Sequence, residues 1–399
     1  MSVPPRHVAI AGAGIAGLTA ALCFVERGFR VSVLERAEKL EEVGAGLQLS
    51  PNATVILKRL GLLEDAASVA VRPVSVELRR ADSLRTLTSV PLGETALRRW
   101  GAPYLTIHRA DLHDILARAV RAHPAITLET GVTVGSAKLS DAGNVLSATR
   151  AGVEDEIACD LAVGADGVRS ALRAGSPLAR PARFSGYVAW RAIATPQLCA
   201  GLIPTDRVSA FLNPRFHLVA YPLRGGQIVN LVVIGRMPAP TESGAGGERR
   251  LLPPGIIAGA ADDIDALAAN VDGWLPWPIA EVDADAPWID PAGLALIGDA
   301  AHAMGPYAAQ GAVMAIEDAA ALAAAVAARP DDLAGALARY QAVRRERVRQ
   351  VAKRGSFNRF VWHASGPVAL GRDIVLALRR GTSLAADLDW LYAYDAETA

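Results

Sequence analysis

The chain has 399 residues, 51% of them apolar, and its 41 basic and 41 acidic side chains leave no formal net charge. That length suffices for two packed units with sizeable cores. A neutral balance excludes a nucleic acid or an anionic membrane surface as the expected partner.

The three cysteines, Cys23, Cys159 and Cys199, are isolated, with neither a CxxC pair nor metal-ligand spacing. This pattern predicts a reducing, cytoplasmic setting and no metal centre. Cys23 and Cys159 read as small core residues. The longest apolar stretch, residues 311–328, carries Glu317 and Asp318, so it reads as a buried helix, not a membrane span. The first strand starts almost at once, which leaves no room for a signal peptide.

That first strand, His7-Val8-Ala9-Ile10-Ala11, runs into Gly12-Ala13-Gly14-Ile15-Ala16-Gly17, then an Ala/Leu-rich stretch, Gly28, a second apolar run over residues 31–34, and Glu35-Arg36. The order is strand, glycine turn, helix, strand, acid, as dinucleotide binding requires. Gly12 permits the tight turn, Gly14 lets a pyrophosphate approach the backbone, and Gly17 lets the helix lie close on the sheet. The helix N-terminus offers free N–H groups to the phosphates. Glu35 is placed to accept hydrogen bonds from an adenosine ribose. The acid does not distinguish FAD from NAD.

Residues 42–49 read as a glycine-spaced loop, and residues 52–60 as a helix ending at Gly61. Residues 71–98 alternate as strands do. An amphipathic helix opens at His108-Arg109 and runs to about Ala122; strands follow near 126–134, 145–150 and 156–163. The pattern from 184 to 234 is β-rich, and the prolines and glycines of 238–257 predict a long surface loop. A short buried strand covers 294–297, and helices fill the rest from Gln310. The Arg/Lys-rich run 344–354 reads as a solvated helix face.

Two further strand-end motifs stand out. Asp160-Leu161-Ala162-Val163-Gly164-Ala165 ends in Asp166-Gly167, and Ala295-Leu296-Ile297-Gly298 ends in Asp299, followed by Ala300-Ala301-His302 and Gly305-Pro306-Tyr307-Ala308-Ala309-Gln310-Gly311. With the first motif, in this order and spacing, they resemble the flavin-dependent aromatic hydroxylases (group A flavoprotein monooxygenases), nearest to the salicylate hydroxylase branch. The likeness extends to Tyr187-Val188-Ala189-Trp190-Arg191, to the run from Pro306 to Asp318, and to Asp389-Trp390-Leu391-Tyr392.

The resemblance implies an FAD enzyme that uses NADH or NADPH as cosubstrate and O2 as oxidant, delivering one oxygen atom to a small aromatic substrate through a flavin hydroperoxide. It implies that Gly12, Gly14 and Gly17 hold the pyrophosphate, that Glu35 and Arg36 serve the adenosine, and that Arg109, Asp166, Gly167 and Asp299 serve the rest of the nucleotide. Physical reasoning adds that the helix N-terminus at Gly311 and Ala312 faces the negatively charged edge of a reduced flavin. Relatives place a histidine shortly after a glycine-rich segment corresponding to Gly44-Ala45-Gly46. This chain has Gln48 near there, read as facing the flavin; if that position supplies the base in relatives, this enzyme uses another group or a different substrate. His302 reads as structural.

A hydroxylase needs a dry pocket against the flavin. Pro306 is its expected floor, with walls from 211–221 and 187–191. In Phe216-His217-Leu218-Val219-Ala220-Tyr221, His217 and Tyr221 share one strand face, about 13 Å apart if fully extended. Relatives acting on hydroxylated aromatic acids carry a similar pair. A positioned His or Tyr helps ionise a phenol, which speeds attack on oxygen. Arg215 and Arg191 are candidates for a substrate carboxylate, and Arg191, if buried, needs a partner such as an internal acid.

The expected fold is α/β: a Rossmann-like FAD-binding domain (1–75, 100–182 and 276–360), an inserted β-sheet substrate domain (76–99 and 183–275) and C-terminal helices (361–399). The expected substrate is a phenolic or hydroxypyridine carboxylic acid, with the protein a monomer or homodimer that engages no nucleic acid and no membrane. The same scaffold also serves epoxidation or hydroxylation of a non-aromatic, polyketide-like substrate, or flavin binding without catalysis.

Overall fold

The computed structural model describes residues 6–40, 46–140, 143–238 and 250–398. Its nucleus is a six-stranded sheet in the order Ile289–Asp290, Leu294–Leu296, Leu161–Gly164, His7–Ala11, Arg30–Glu35, Ile126–Thr130. All pairings are parallel except the first. The central strands are apolar on both faces because helices cover both sides; Val8, Ala9, Ile10 and Val163 have no exposed surface. The helix Ile15–Val25 packs against the long apolar helix Gly311–Ala327.

A second, seven-stranded sheet stands over this unit. Its order is Leu275–Glu281, Arg183–Ala194, Ile228–Arg236, Phe216–Leu223, Val208–Leu212, Ser75–Arg80, Thr86–Pro91. Its one parallel junction joins Val208–Leu212 to Ser75–Arg80. Alternation along Phe216–Leu223 decides its two faces. Phe216, Leu218 and Ala220 enter a core shared with Ile264, Leu267 and Ala268 of the helix Asp262–Asn270. His217, Val219 and Tyr221 point the other way.

Several expectations need correction. Residues 71–98 are not all strand: Gly93–Trp100 is a helix, with acidic Glu94 in its first turn, Arg98 and Arg99 in its last, and Gly101 as a left-handed cap. Gly46–Leu49 is not loop but a strand, paired with Leu105–His108; the rest of that segment, 41–45, with Gly44, lies outside the described residues, as do 239–249 of the expected loop. The 344–354 run is not a uniformly solvated face, since Arg344 and Arg347 are 0% and 3% exposed. Phe211 lies on the far side of the seven-stranded sheet, under Arg79.

All three cysteines are buried, and burial pushes the Cys23 thiol up to about 12. Among the described residues no helix is long and apolar enough to cross a membrane, and no cluster of His, Cys, Asp or Glu is arranged to hold a metal ion.

Candidate active site between two sheets

The strand ends of the first sheet and the inner face of the second enclose one cavity of about 450 Å³. Gly14, Arg109, Gly167, Asp299, Gly311 and Ala312 line its lower side. His217, Tyr221 and Arg191 line its upper side, and Gln48 and Pro306 also face it. Three turns far apart in sequence therefore converge on one space.

The glycines show what that space accepts. A Cβ at Gly12 (φ +103°) would lie 2.6 Å from the Ala165 carbonyl oxygen, so the first two turns pack backbone to backbone. A Cβ at Gly17 would fall 1.9 Å from Gly12 O. At Gly14 and Gly311, by contrast, a Cβ would meet nothing within 4 Å, and both border the cavity. Neither Gly14 nor Gln310, the two N-caps, closes its helix with a side-chain hydrogen bond. Two uncapped helix N-termini on one cavity suit an extended anionic ligand. Glu35 accepts from Ala13 N (2.8 Å) and Ala37 N (3.0 Å), fixing the first turn and retaining spare lone pairs. Asp166 accepts from Leu172 N, and its Oδ1 is buried without a partner.

A buried ionic cluster holds the floor. Asp318 accepts from Gly298 N (2.8 Å) and His302 Nε2 (2.6 Å) and pairs with Arg344 Nε (2.8 Å). Burial alone would raise its carboxyl; His302 and Arg344 instead hold it down at about 2. Glu317 pairs with Arg344 and Arg347 and accepts from Asn52, which also bonds Gln310. The glycine turn that delivers Asp299 and the residue that caps the Gly311 helix are thus pinned by the same fully buried charges. His302 is structural, as its sequence context suggested.

The upper side holds the reactive groups. His217 is 1% exposed, and its Nδ1 lies 2.9 Å from His363 Nε2. Burial, then the adjacent His363, drives its pKa well below the usual imidazole range, so it is neutral at neutral pH. Burial pushes the Tyr221 phenol up, with Arg191 opposing. Arg191 lies over the Trp277 ring at 5.0 Å, and its Nε is buried without a hydrogen-bond partner. The expected internal acid does not bond to that Nε; Tyr221 and Asp299 act on the guanidinium through space, with Arg109 opposing them. Burial lowers the Arg191 pKa, and a guanidinium left this way suits an incoming carboxylate.

The cavity brings together most of the sequence-predicted residues. Gly12, Gly17, Glu35 and Asp166 belong to the turns at its base without lining it, and Arg36 and Arg215 are exposed elsewhere. Sequence reading missed Tyr307, Trp362, His363 and the wall formed by Leu388, Leu391 and Tyr392. The quoted Asp389–Tyr392 segment carried that last signal. Arg347 donates to the carbonyls of Trp390 and Leu391, tying it in place.

The sequence profile of the FAD binding domain family matches residues 6–355. The chain is 33% identical over 393 residues to 3-amino-4-hydroxybenzoate 2-monooxygenase of Streptomyces cremeus, covering 97% of this chain and 94% of that protein. The chain belongs to the group A FAD-dependent aromatic monooxygenases. Another such monooxygenase, 3-hydroxybenzoate 6-hydroxylase of Klebsiella oxytoca, is 31% identical, with 96% of each chain covered. Among solved structures, Klebsiella pneumoniae HpxO with FAD and uric acid superposes with a TM-score of 0.82 at 23% identity, covering 96% of this chain and 95% of that one. A salicylate hydroxylase substrate complex gives 0.78 at 23%, covering 99% and 97%. These two show that the monooxygenase shares their fold.

Proposed function

We propose that this monooxygenase hydroxylates a small phenolic or hydroxypyridine carboxylic acid, bound in the upper half of the cavity. The observation that carries this reading is the grouping of a neutral imidazole, a phenol and a guanidinium with an unbonded buried Nε in the cavity that Pro306 also lines, on the sheet face that roofs the nucleotide turns. In this reading residues 76–99 and 183–275 form the substrate-binding sheet domain, and 1–75, 100–182 and 276–360 the nucleotide domain.

The lower half fits FAD. Gly12, Gly14 and Gly17 form the pyrophosphate turn, Glu35 and Arg36 serve the adenosine, and Arg109, Asp166, Gly167 and Asp299 hold the phosphate and ribityl portion. The Gly311 and Ala312 N–H groups, with Gln48, serve the ring. When bound, FAD supplies hydride acceptance from NAD(P)H and activation of O2.

The chain's own residues do the rest. Arg191 pairs with the substrate carboxylate. His217 accepts the phenolic proton at Nε2, its Nδ1 being engaged by His363. Tyr221 holds the resulting oxyanion by donating its unionised O–H, which burial keeps protonated. Pro306 and the apolar side chains Val76, Leu78, Val219 and Val232 exclude water.

The test is a screen of 3-hydroxybenzoate, salicylate and 6-hydroxynicotinate for stimulated NAD(P)H oxidation, with ¹⁸O2 as oxidant. Supporting outcomes are accelerated oxidation and a product one labelled oxygen heavier. Oxidation without oxygen incorporation into any phenolic acid counts against the reading.

A further inference from the structure

His217 faces the cavity from a strand, but the group that completes it comes from another part of the chain. His363 directly follows the long helix Leu333–Trp362 as its C-terminal cap. Its ring centroid is 5.1 Å from that of His217, and the Nδ1···Nε2 distance is 2.9 Å. Trp362 packs edge-on to His217 at 5.0 Å, and Tyr307 lies at 5.6 Å from the same ring. His363 also stacks on Tyr187 (6.1 Å, 28°). The two imidazoles are therefore held in one relative orientation. His217 is sealed at 1% exposure, whereas His363 is half-buried.

We propose that His363 is the outer member of a two-imidazole proton path that joins the substrate position at His217 to solvent. This rests on the phenolic substrate class given above. His363 does not touch substrate; it acts through His217, as a positioning residue that also passes the proton on.

The chemistry follows from the pairing. The titratable and charged groups around the pair are Tyr187, Tyr307, Arg359, Arg236 and Glu281, together with Arg372, which donates to the Val361 and Trp362 carbonyls beside His363 and is paired with Asp373. Arg359 lies over the rings of Tyr187 and Tyr307, 5.7 Å from each. No carboxylate among the described residues bonds to either imidazole. Burial, then Arg359, takes His363 down to about 4. Both rings are thus neutral at pH 7, and at 2.9 Å one must donate to the other.

With the inner Nδ1–H donating to the outer Nε2, each step balances. A phenolic proton binds His217 Nε2; the Nδ1 proton crosses to His363 Nε2; the Nδ1 proton of His363 leaves to water. The substrate is left as phenolate, both imidazoles remain neutral with their tautomers exchanged, and one proton enters solvent. When the product is re-protonated before release, the same bonds run in reverse and restore the starting tautomers. An imidazolium trapped at His217 would be buried without a counter-ion, which the relay avoids.

The experiment uses FAD-loaded His363→Gln, whose amide retains a hydrogen bond to His217 but cannot take up and release a proton. 3-Hydroxybenzoate, salicylate and 6-hydroxynicotinate are mixed with wild type and variant in weakly buffered pH-indicator solution, and kcat and KM are measured from pH 6 to 9. In wild type a fast proton release accompanies binding. In His363→Gln that release and kcat fall by roughly tenfold to a hundredfold, the range for a lost acid–base group, with KM little changed. Imidazole added to His363→Ala restores part of the rate. Two results overturn the proposal: unchanged proton release and pH profile, or a raised KM with a pH-independent loss that imidazole does not rescue. A variant that loses its flavin or unfolds is replaced by His363→Asn under the same criteria. Wild type that binds none of the three acids refutes the functional reading itself; a competent wild type with an indifferent variant refutes the relay alone.

Discussion

The ring of Tyr221 occupies the space that a side chain at Gly46 would need. A Cβ there would lie 2.4 Å from Tyr221 Cε2 and 3.0 Å from its Oη. The glycine thus sets how deeply the phenol sits in the cavity. Gly46→Ala is expected to cost about 1–3 kcal/mol through overpacking and to lower kcat/KM by tilting the ring. Tyr221→Ala in the same background should relieve the stability part. Urea denaturation and steady-state kinetics on the two single variants and the double variant read both, and additive effects would contradict the contact.

The glycines of the first turn separate folding from cofactor binding. Gly17→Ala drives a Cβ into the Gly12 carbonyl, where only backbone can yield, so a lowered melting temperature is expected. Gly14→Val projects into open cavity. It should melt as an intact protein yet lose its yellow colour on gel filtration. Circular dichroism melts paired with flavin absorbance distinguish the two.

Arg344 neutralises two fully buried carboxylates, Glu317 and Asp318. Arg344→Met leaves them short of positive charge in a dry interior, and removing one partner of a buried ionic group costs about 3–5 kcal/mol. The urea midpoint should fall accordingly. FAD retention should also weaken, because the Gly298 turn hangs on Asp318.

Nothing in the basic run 344–354 announced this cluster. Periodicity shows which helix face is apolar, not that a carboxylate pair on another helix awaits two arginines. The three strand-end turns were legible because each needs glycine or a short acid where the backbone bends, and that constraint is local. Gly46–Leu49 was not: its strand character comes from pairing with Leu105–His108, far along the chain. The Trp362–His363 contribution was invisible for the same reason, since a helix C-terminus carries no mark of the strand it meets.

His363 makes stability depend on pH. Its folded pKa is about 4 against an ordinary 6.5, because burial and Arg359 disfavour the charged ring. The unfolded chain therefore takes up this proton first. The stabilisation is complete above pH 6.5 and is lost as pH falls through 4. Urea midpoints measured from pH 7 to pH 4 should decline less steeply for His363→Gln than for wild type; parallel curves would contradict the assignment.

Arg191 offers an unpaired Nε in a buried setting. Arg191→Gln is expected to raise KM for phenolic carboxylic acids by roughly tenfold to a hundredfold, the equivalent of a hydrogen bond to a charged group. The corresponding phenols that lack a carboxylate should show no such change. Comparing each pair of ligands by steady-state kinetics or equilibrium titration isolates the carboxylate.

The parallel junction between Val208–Leu212 and Ser75–Arg80 carries a consequence for biogenesis. A nascent polypeptide emerging from the ribosome holds Ser75–Arg80 as an unpaired edge while the whole intervening stretch is synthesised. The roof over the flavin turns is therefore a late event, governed by distant closure. Release of a chain truncated before Val208 would leave that edge open to other polypeptides, which makes this seam the point where folding competes with aggregation.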